Sequence, residues 1–365
     1  MSRVPVLREL SRIARAILVA TLVASAAGIV MSFGLHVEGT ATFVVSAAAI
    51  LGLAWVVGAS TERIGALAGP QVGGILNATF GNVAELIIAF FALQAGLIDV
   101  VKASLTGSII GNLLLVLGAS LLLGGLRHGT QRFSARIAAS NATLLALAVI
   151  GLFIPAVFAE STGRGPGRTE ESVVVSVILI TLYIIALVYS FRHPDETLGG
   201  AEEPEEHGGP AWPARTAIAV LLVAAGLLAV LSEILVESID PFIEASGLTP
   251  LFVGVIIIPT IGNLAEHLVA VGLALKNRVD FAMAVSIGSS LQVALFVAPV
   301  LVLIGVLLGQ PMDLVFAPLE IAAVGVGVVI TALIALDGES NALEGALLVG
   351  VYLILAVSFF FLAPI

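Results

Sequence analysis

Two carboxylates stand out because each lies in a long segment that carries no other Asp, Glu, Lys or Arg. Glu85 is alone in this sense between Ile64 and Ile98, and Glu266, next to His267, is alone between residues 245 and 275. Ionisable groups at such depth cost free energy in a bilayer and usually mark an ion pathway. The two glutamates are therefore the first candidates for binding a transported ion.

The sequence around the two carboxylates is repeated. Gly81-Asn82-Val83-Ala84-Glu85 recurs as Gly262-Asn263-Leu264-Ala265-Glu266, and a fixed offset of 181 residues gives 9 identities in 28 gapless positions. Shared apolar composition does not readily align Asn, Glu, Asp and Ser as well as Ala and Gly. We infer an internal duplication, with one carboxylate in each half, which is typical of secondary transporters.

Polar side chains near each carboxylate complete an oxygen-rich set. Asn and Glu are three residues apart in each motif and would share a face of a helix. The next span of each copy adds Ser108 with Asn112, and Ser289 with Gln292. Oxygen ligands suit a hard cation such as Ca²⁺, and the scarcity of nitrogen and sulfur donors disfavours Zn²⁺ or Cu⁺. Two carboxylates can be neutralised by one divalent ion or by two protons, which is the basis of cation/proton exchange.

A structural role for the same side chains stays open. Ser108, Asn112 and Ser289 could hydrogen-bond across packed helices, and His267 could do the same at a helix interface. Glu85 and Glu266 could pair with neighbouring donors. Glu320, in a later span, has no partner that the sequence identifies.

The composition is that of a polytopic membrane protein. Of 365 residues, 59% are hydrophobic and 11% are charged, against about 25% charged in soluble domains. The chain has no cysteine, which excludes thiolate ligands. A net charge of −10 argues against a nucleic-acid partner.

The apolar runs predict an all-α polytopic membrane protein with about 11 transmembrane helices. A span needs about 20 apolar residues, and twelve Lys and Arg side chains fall in loops on one side against three on the other. This bias predicts a cytoplasmic N-terminus, and the short N-terminus fits a prokaryotic inner membrane. The predicted spans are residues 13–33, 41–60, 72–96, 101–124, 135–158, 172–191, 214–236, 250–275, 281–308, 314–336 and 342–362.

The spans predict two inverted five-helix repeats and one extra N-terminal helix. Five is odd, so the second group enters the membrane from the opposite side. We expect an N-terminal segment at 1–38, repeat 1 at 39–192, an acidic cytoplasmic linker at 193–213 and repeat 2 at 214–365. The two motif-bearing spans should be kinked or split beside the carboxylates, with breaks at Gly69-Pro70, Gly73-Gly74 and Gly81 in the first copy and at Gly254, Pro259 and Gly262 in the second.

Three motifs resemble the signatures of the CAX family of Ca²⁺/H⁺ antiporters. They are the stretches 74–88, 262–292 (with Gly288-Ser289-Ser290-Leu291-Gln292) and 337–345. The resemblance implies the cation/Ca²⁺ exchanger fold, a peripheral first span, and Ca²⁺ bound by Glu85 and Glu266 in exchange for protons. It implies assisting roles for Asn82, Asn263, Ser289 and Gln292. Because Leu86 stands in the first copy where His267 stands in the second, any proton role of the histidine is asymmetric.

The predicted function is therefore secondary antiport of cytosolic Ca²⁺ against H⁺ by alternating access, with Ca²⁺ and H⁺ as substrates and no cofactor. A Na⁺/Ca²⁺ exchanger, or an antiporter with broader divalent selectivity, is the nearest alternative. A cation channel would not couple the two gradients. An intramembrane enzyme is disfavoured because its usual motifs are absent. Homo-oligomerisation stays open.

Overall fold

The computed structural model describes residues 11–37, 39–69, 76, 79–162, 167–193 and 212–362, which are almost entirely helical. Strands β1 (Gln131–Arg132) and β2 (Glu339–Ser340) form a short antiparallel pair. In chain order the helices are α1 Arg12–Gly34, α2 Thr40–Ala68, α3 Val83–Gln94, α4 Ile98–His128, α5 Ala135–Thr162, α6 Arg168–Arg192, α7 Ala214–Glu237, α8 Ile239–Ser246, α9 Pro250–Leu275, α10 Val279–Leu308, α11 Pro318–Ile334 and α12 Ala342–Phe361.

The all-α polytopic membrane class is confirmed. Within the described residues, nine helices are long and apolar enough to cross a membrane, and α3 and α11 are shorter apolar helices. Each of the eleven predicted spans overlaps one of these eleven helices, although the exact number of spans stays a prediction. Large apolar side chains such as Leu22, Leu222 and Leu307 are exposed, as expected where the solvent is lipid and helices satisfy their own backbone hydrogen bonds.

The predicted break beside the carboxylate is present in the first copy. Gly81 and Asn82 form a turn, after which α3 begins at Val83. Gly69 ends α2 with a φ of +95°, which favours glycine, whereas Pro70, Gly73 and Gly74 lie outside the described residues.

In the second copy, where a kink or a split was expected, the helix is not split. Helix α9 runs uninterrupted from Pro250 to Leu275, with a π-helical segment at Val253–Ile257. Gly254 lies in this segment, and Pro259 follows it after one residue. A proline cannot donate to the carbonyl four residues earlier, and the π-helical segment, in which bonds reach five residues back, accommodates that loss without ending the helix.

Helix boundaries recur at the same offset of 181 residues that relates the motifs. Helix α3 ends at Gln94 and α9 at Leu275, while α4 begins at Ile98 and α10 at Val279. Both α4 and α10 contain a π-helical segment, at Gly111–Val116 and Val293–Val297. These coincidences support the predicted duplication.

One structural unit consists of residues 1–95, 202–248 and 261–265. In this unit α1 packs so closely on α2 that a Cβ at Gly52 would overlap the side chain of Thr21. At the start of α7, Trp212 is buried and its carbonyl accepts a hydrogen bond from Arg63 Nε at 2.8 Å. Most of the predicted acidic linker, residues 194–211, lies outside the described residues.

The other unit consists of residues 96–201, 249–260 and 266–365. Helices α4 and α12 approach each other closely at two glycines. A Cβ at Gly345 would overlap the backbone of α4 at Leu122, and a Cβ at Gly118 would lie 2.8 Å from Leu348 Cβ. Small residues permit such contacts between membrane helices. Each unit takes helices from both predicted repeats, so the repeat boundaries stay a prediction.

Loops that were predicted to share a side of the membrane contact one another in this second unit. On the predicted cytoplasmic side, β1 pairs with β2, and buried Gln131 donates to the carbonyl of Ala274 at 3.1 Å and to Asn277 Oδ1 at 2.9 Å. On the predicted outer side, Lys102 forms an ion pair with Asp313. These contacts support the predicted alternation of the loops, while the absolute orientation stays an expectation.

Candidate functional site

The first carboxylate lies at the start of a helix. Glu85 is in the first turn of α3, and Asn82 occupies the capping position with φ −100° and ψ 25°. A negative charge is stabilised by the positive end of the helix dipole at this place. Because Asn82 is not helical, the prediction that it shares a helix face with Glu85 was wrong; it is buried in the turn that precedes the helix.

The second motif contacts the first carboxylate directly. Asn263 Nδ2 donates a hydrogen bond to Glu85 Oε1, and a Cβ at Gly262 would lie 2.8 Å from Glu85 Cγ. The contact therefore needs glycine at 262 and an amide at 263. Two short motifs that are 181 residues apart in sequence meet at one carboxylate.

Glu266 lies three residues beyond Asn263 in the uninterrupted helix α9 and is partly buried. His267 is also partly buried, and its Nε2 has no hydrogen-bond partner among the described residues. Both residues are therefore helical, and both side chains are partly buried. The structure does not assign a proton-transfer role to the histidine.

A second polar group forms where α4 and α10 pack together. Asn112 Nδ2 donates to Ser289 Oγ at 3.0 Å, and both side chains are buried. Asn112 lies in the π-helical segment of α4, and Gln292 is the last residue before that of α10. Such segments interrupt the regular rotation of side chains about a helix and are frequent at functional sites. Ser108 is buried one turn before Asn112.

Helix α4 also packs closely against the first part of α9. A Cβ at Gly107 would overlap the carbonyl of Val255, and one at Gly254 would overlap Ala103. Val255 is the residue whose carbonyl Pro259 cannot bond. Glycine at 107 therefore lets the π-helical part of α9 lie directly on α4, next to Ser108.

The side chains that the sequence predicts as ligands all carry oxygen atoms of the kind that Ca²⁺ prefers. They are carboxylates at Glu85 and Glu266, amide oxygens at Asn82, Asn112, Asn263 and Gln292, and hydroxyls at Ser108 and Ser289. No group of three or more His, Cys, Asp or Glu side chains with metal-site geometry occurs in the described part of the chain.

Sequence reasoning missed two groups near these residues. Glu320 accepts a hydrogen bond from Thr106 on α4, and Gln131 caps the carbonyl end of α9. The presence of Glu320 in an apolar span was a signal for the first. The second had no signal, because a glutamine in a short loop is ordinary.

Comparison with known proteins gives one consistent family. The family model of the sodium/calcium exchanger protein matches residues 38–192 and 216–361. The Ca²⁺/H⁺ antiporter of Aphanothece halophytica is 45% identical over 347 residues, which cover 90% of this chain and 92% of that protein. The Ca²⁺/H⁺ antiporter ChaA of Bacillus subtilis is 41% identical over 331 residues, covering 90% and 94%.

A solved structure agrees with the sequence matches. The structure of native YfkE superposes with a TM-score of 0.82 at 38% identity and covers 95% of this chain and 100% of that one. The resemblance inferred from the motifs is thereby confirmed. The chain belongs to the sodium/calcium exchanger protein family, in its CAX branch.

Proposed function

We propose that this protein is a secondary antiporter that exports cytosolic Ca²⁺ in exchange for H⁺. The observation that carries the proposal is the contact between the two motif copies. Asn263 donates a hydrogen bond to Glu85, and Gly262 packs against the Glu85 side chain. The names of relatives that are 45% and 41% identical, both Ca²⁺/H⁺ antiporters, support the choice of ions.

Glu85 and Glu266 act in this proposal as the shared site for Ca²⁺ and protons. When both are ionised, their charge of −2 matches one Ca²⁺. When both are protonated, the site is neutral and releases the ion. Protons on one side and Ca²⁺ on the other therefore compete for the same oxygens, and this competition couples the two gradients.

The neutral ligands adjust the site without taking part in charge neutralisation. Asn263 holds Glu85 through its amide N–H, and its amide oxygen is of the kind that binds a hard cation. Asn112 orients Ser289 in the same way. Asn82, Ser108 and Gln292 supply further oxygens, and the site opens to one side of the membrane at a time by alternating access.

Transport in everted membrane vesicles tests the choice of ions. Respiration makes the lumen acidic, a lumenal dye reports the proton gradient, and Ca²⁺, Mg²⁺, Mn²⁺ or Na⁺ is added to the exposed cytoplasmic face. The proposal predicts dye recovery on addition of Ca²⁺, because entry of Ca²⁺ drives exit of H⁺. Vesicles without the protein are the control.

Sodium/calcium exchange is the second candidate, since the matching family model carries that description. It predicts no proton movement on addition of Ca²⁺, and Ca²⁺ uptake that follows an imposed Na⁺ gradient instead. Ca²⁺ flux that drives neither ion uphill would indicate a channel and would refute both antiport mechanisms.

A further inference from the structure

Glu320, which had no partner identified from sequence, is held by two hydrogen bonds. It lies in the first turn of α11 and is only 4% exposed. Oε2 accepts from the backbone N–H of Ala317 at 2.8 Å, and Oε1 accepts from Thr106 Oγ1 at 3.0 Å. The first bond caps the helix, whereas the second joins α11 to α4.

A second polar contact lies one helical turn away on α4. Lys102 forms an ion pair with Asp313 and donates to the carbonyl of Val315 at 3.0 Å. We call Lys102, Thr106, Asp313 and Glu320 the α4 anchor. It fastens two successive turns of α4 to the segment that leads into α11. Besides Lys102, the exposed Asp99 contributes to the electrostatic environment of Glu320.

The equivalent helix of the second copy, α10, carries apolar residues at the two positions that correspond to the anchor residues of α4. At the offset of 181 residues, Met283 stands for Lys102 and Ile287 stands for Thr106, and both are fully buried. Met283 and Ile287 show that the equivalent helix packs at these two positions through apolar contacts. Since a buried carboxyl group and a partly buried ion pair cost desolvation free energy, their presence in one copy needs a reason other than packing.

The anchor is close in sequence to the polar group of α4. Thr106 precedes Ser108 by two residues and Asn112 by six, on one continuous helix. Asn112 in turn donates to Ser289. A displacement of α4 along its axis would move Ser108 and Asn112 together relative to Ser289.

We propose that Thr106 and Glu320 are positioning residues that hold Ser108 and Asn112 in the geometry needed to bind the transported cation. They act by hydrogen bonding, supported by the Lys102–Asp313 ion pair, and neither touches the ion. This inference rests on the proposed function, because it takes Ser108, Asn112 and Ser289 as cation ligands.

The test compares variants of the full-length protein by Ca²⁺ binding in detergent and by transport rate against Ca²⁺ concentration. Thr106→Val removes the donor with little change of volume, and Thr106→Ser restores it. Glu320→Gln removes the charge but keeps both hydrogen bonds, since Gln can donate to Thr106 Oγ1 and accept from Ala317 N–H. Ile287→Val, at the equivalent apolar position, is the matched control.

We expect Thr106→Val to raise the Ca²⁺ concentration for half-maximal binding and transport by roughly three- to tenfold, with a maximal rate close to that of the parent. Thr106→Ser, Glu320→Gln and Ile287→Val should stay near the parent. Unchanged Ca²⁺ dependence in Thr106→Val would overturn the proposal. Loss of exchange in Glu320→Gln with normal Ca²⁺ dependence in Thr106→Val would also overturn it, in favour of a proton-carrying role.

If Thr106→Val does not fold, Lys102→Met tests the proposal instead. This variant places at position 102 the residue type that the second copy has at Met283. A raised half-maximal Ca²⁺ concentration would support positioning by the anchor, and an unchanged one would overturn it. The parent protein separates this inference from the proposed function. If the parent binds Ca²⁺ but does not exchange it for H⁺, the proposed antiport fails while the effect of the anchor on binding is still measured.

Discussion

Substitution of Gly262 by Ala should damage the site while leaving the fold intact. The new Cβ would lie 2.8 Å from Glu85 Cγ, and also 3.7 Å from its Cα and 3.8 Å from its Cβ. The first distance is too short for two carbon atoms, so the Glu85 side chain must move. Because Glu85 Oε1 is the acceptor for Asn263 Nδ2, that movement breaks the contact between the two motifs.

The size of the effect follows from the groups involved. Overpacking by one methyl group costs about 1–3 kcal/mol, and loss of a hydrogen bond to a charged group costs about 1.5–3 kcal/mol. At about 1.4 kcal/mol per tenfold change, we expect Ca²⁺ affinity to fall by at least about tenfold. Part of this cost falls on the folded protein itself, so the unfolding temperature should also drop, but α9 and α3 should stay in place because the carboxylate can move.

Gly272→Ala is the matched control, because it lies in the same helix and a Cβ there would have no neighbour within 4 Å. Both variants are compared by Ca²⁺ titration of proton release from vesicles and by thermal unfolding in detergent. Normal Ca²⁺ dependence in Gly262→Ala would refute the inference that the contact with Glu85 shapes the site. Equal losses in Gly262→Ala and Gly272→Ala would show that the assay responds to α9 in general.

Three further predictions concern packing, loop structure and competition. Gly107→Ala should lower the yield of folded protein, because a Cβ there would overlap the carbonyl of Val255 in α9. Gly288→Ala should not lower the yield, because a Cβ there would have no neighbour within 4 Å. Size-exclusion profiles in detergent measure the difference. Gln131→Ala should lower the unfolding temperature, because it removes buried hydrogen bonds to the end of α9 worth about 1 kcal/mol each. By contrast, Arg132→Ala, which breaks an exposed ion pair with Glu339, should have almost no effect in the same thermal scan. If protons and Ca²⁺ share the site, lowering the pH on the face that takes up Ca²⁺ should raise the Ca²⁺ concentration for half-maximal transport. The rate at saturating Ca²⁺ should not fall. A half-maximal Ca²⁺ concentration that does not depend on pH would count against competition.

The fold class was predictable because it depends on features that a sequence records directly, whereas the role of the two glutamates stays a prediction. Uninterrupted apolar runs specify membrane helices, and an isolated Glu85 or Glu266 within them is conspicuous. The offset between the motifs also recurs in helix boundaries, as at Ile98 and Val279. The contact of Asn263 with Glu85 fits this reading, although which side chains would meet was not predicted.

Other features depend on local backbone geometry that residue types do not determine. Pro259 was expected to kink or split its helix, but the helix is not split, because the preceding π-helical segment accommodates the proline. Asn82 was expected to be helical, but it lies in a turn and precedes the helix that carries Glu85. Both differences came from applying one rule, helix-breaking or helical spacing, where neighbouring turns decide the outcome.

The α4 anchor was not predictable because its members are far apart in sequence. Thr106 and Glu320 are separated by 214 residues, and neither belongs to a recognised motif. Only the presence of an ionisable group in an apolar span pointed to Glu320. The partner of such a group depends on which helices pack together, and that is a property of the folded chain.

Neutralising each glutamate in turn tests the central claim most directly. Glu85→Gln and Glu266→Gln keep the shape of the side chain but remove its charge, and Glu170→Gln, at an exposed position in the first turn of α6, is the control. Each variant is assayed in everted vesicles for dye recovery on addition of Ca²⁺, with the amount of inserted protein measured in the same membranes. We predict that recovery is lost in the first two variants and kept in the control; normal recovery in either Glu85→Gln or Glu266→Gln would contradict a shared site for Ca²⁺ and protons.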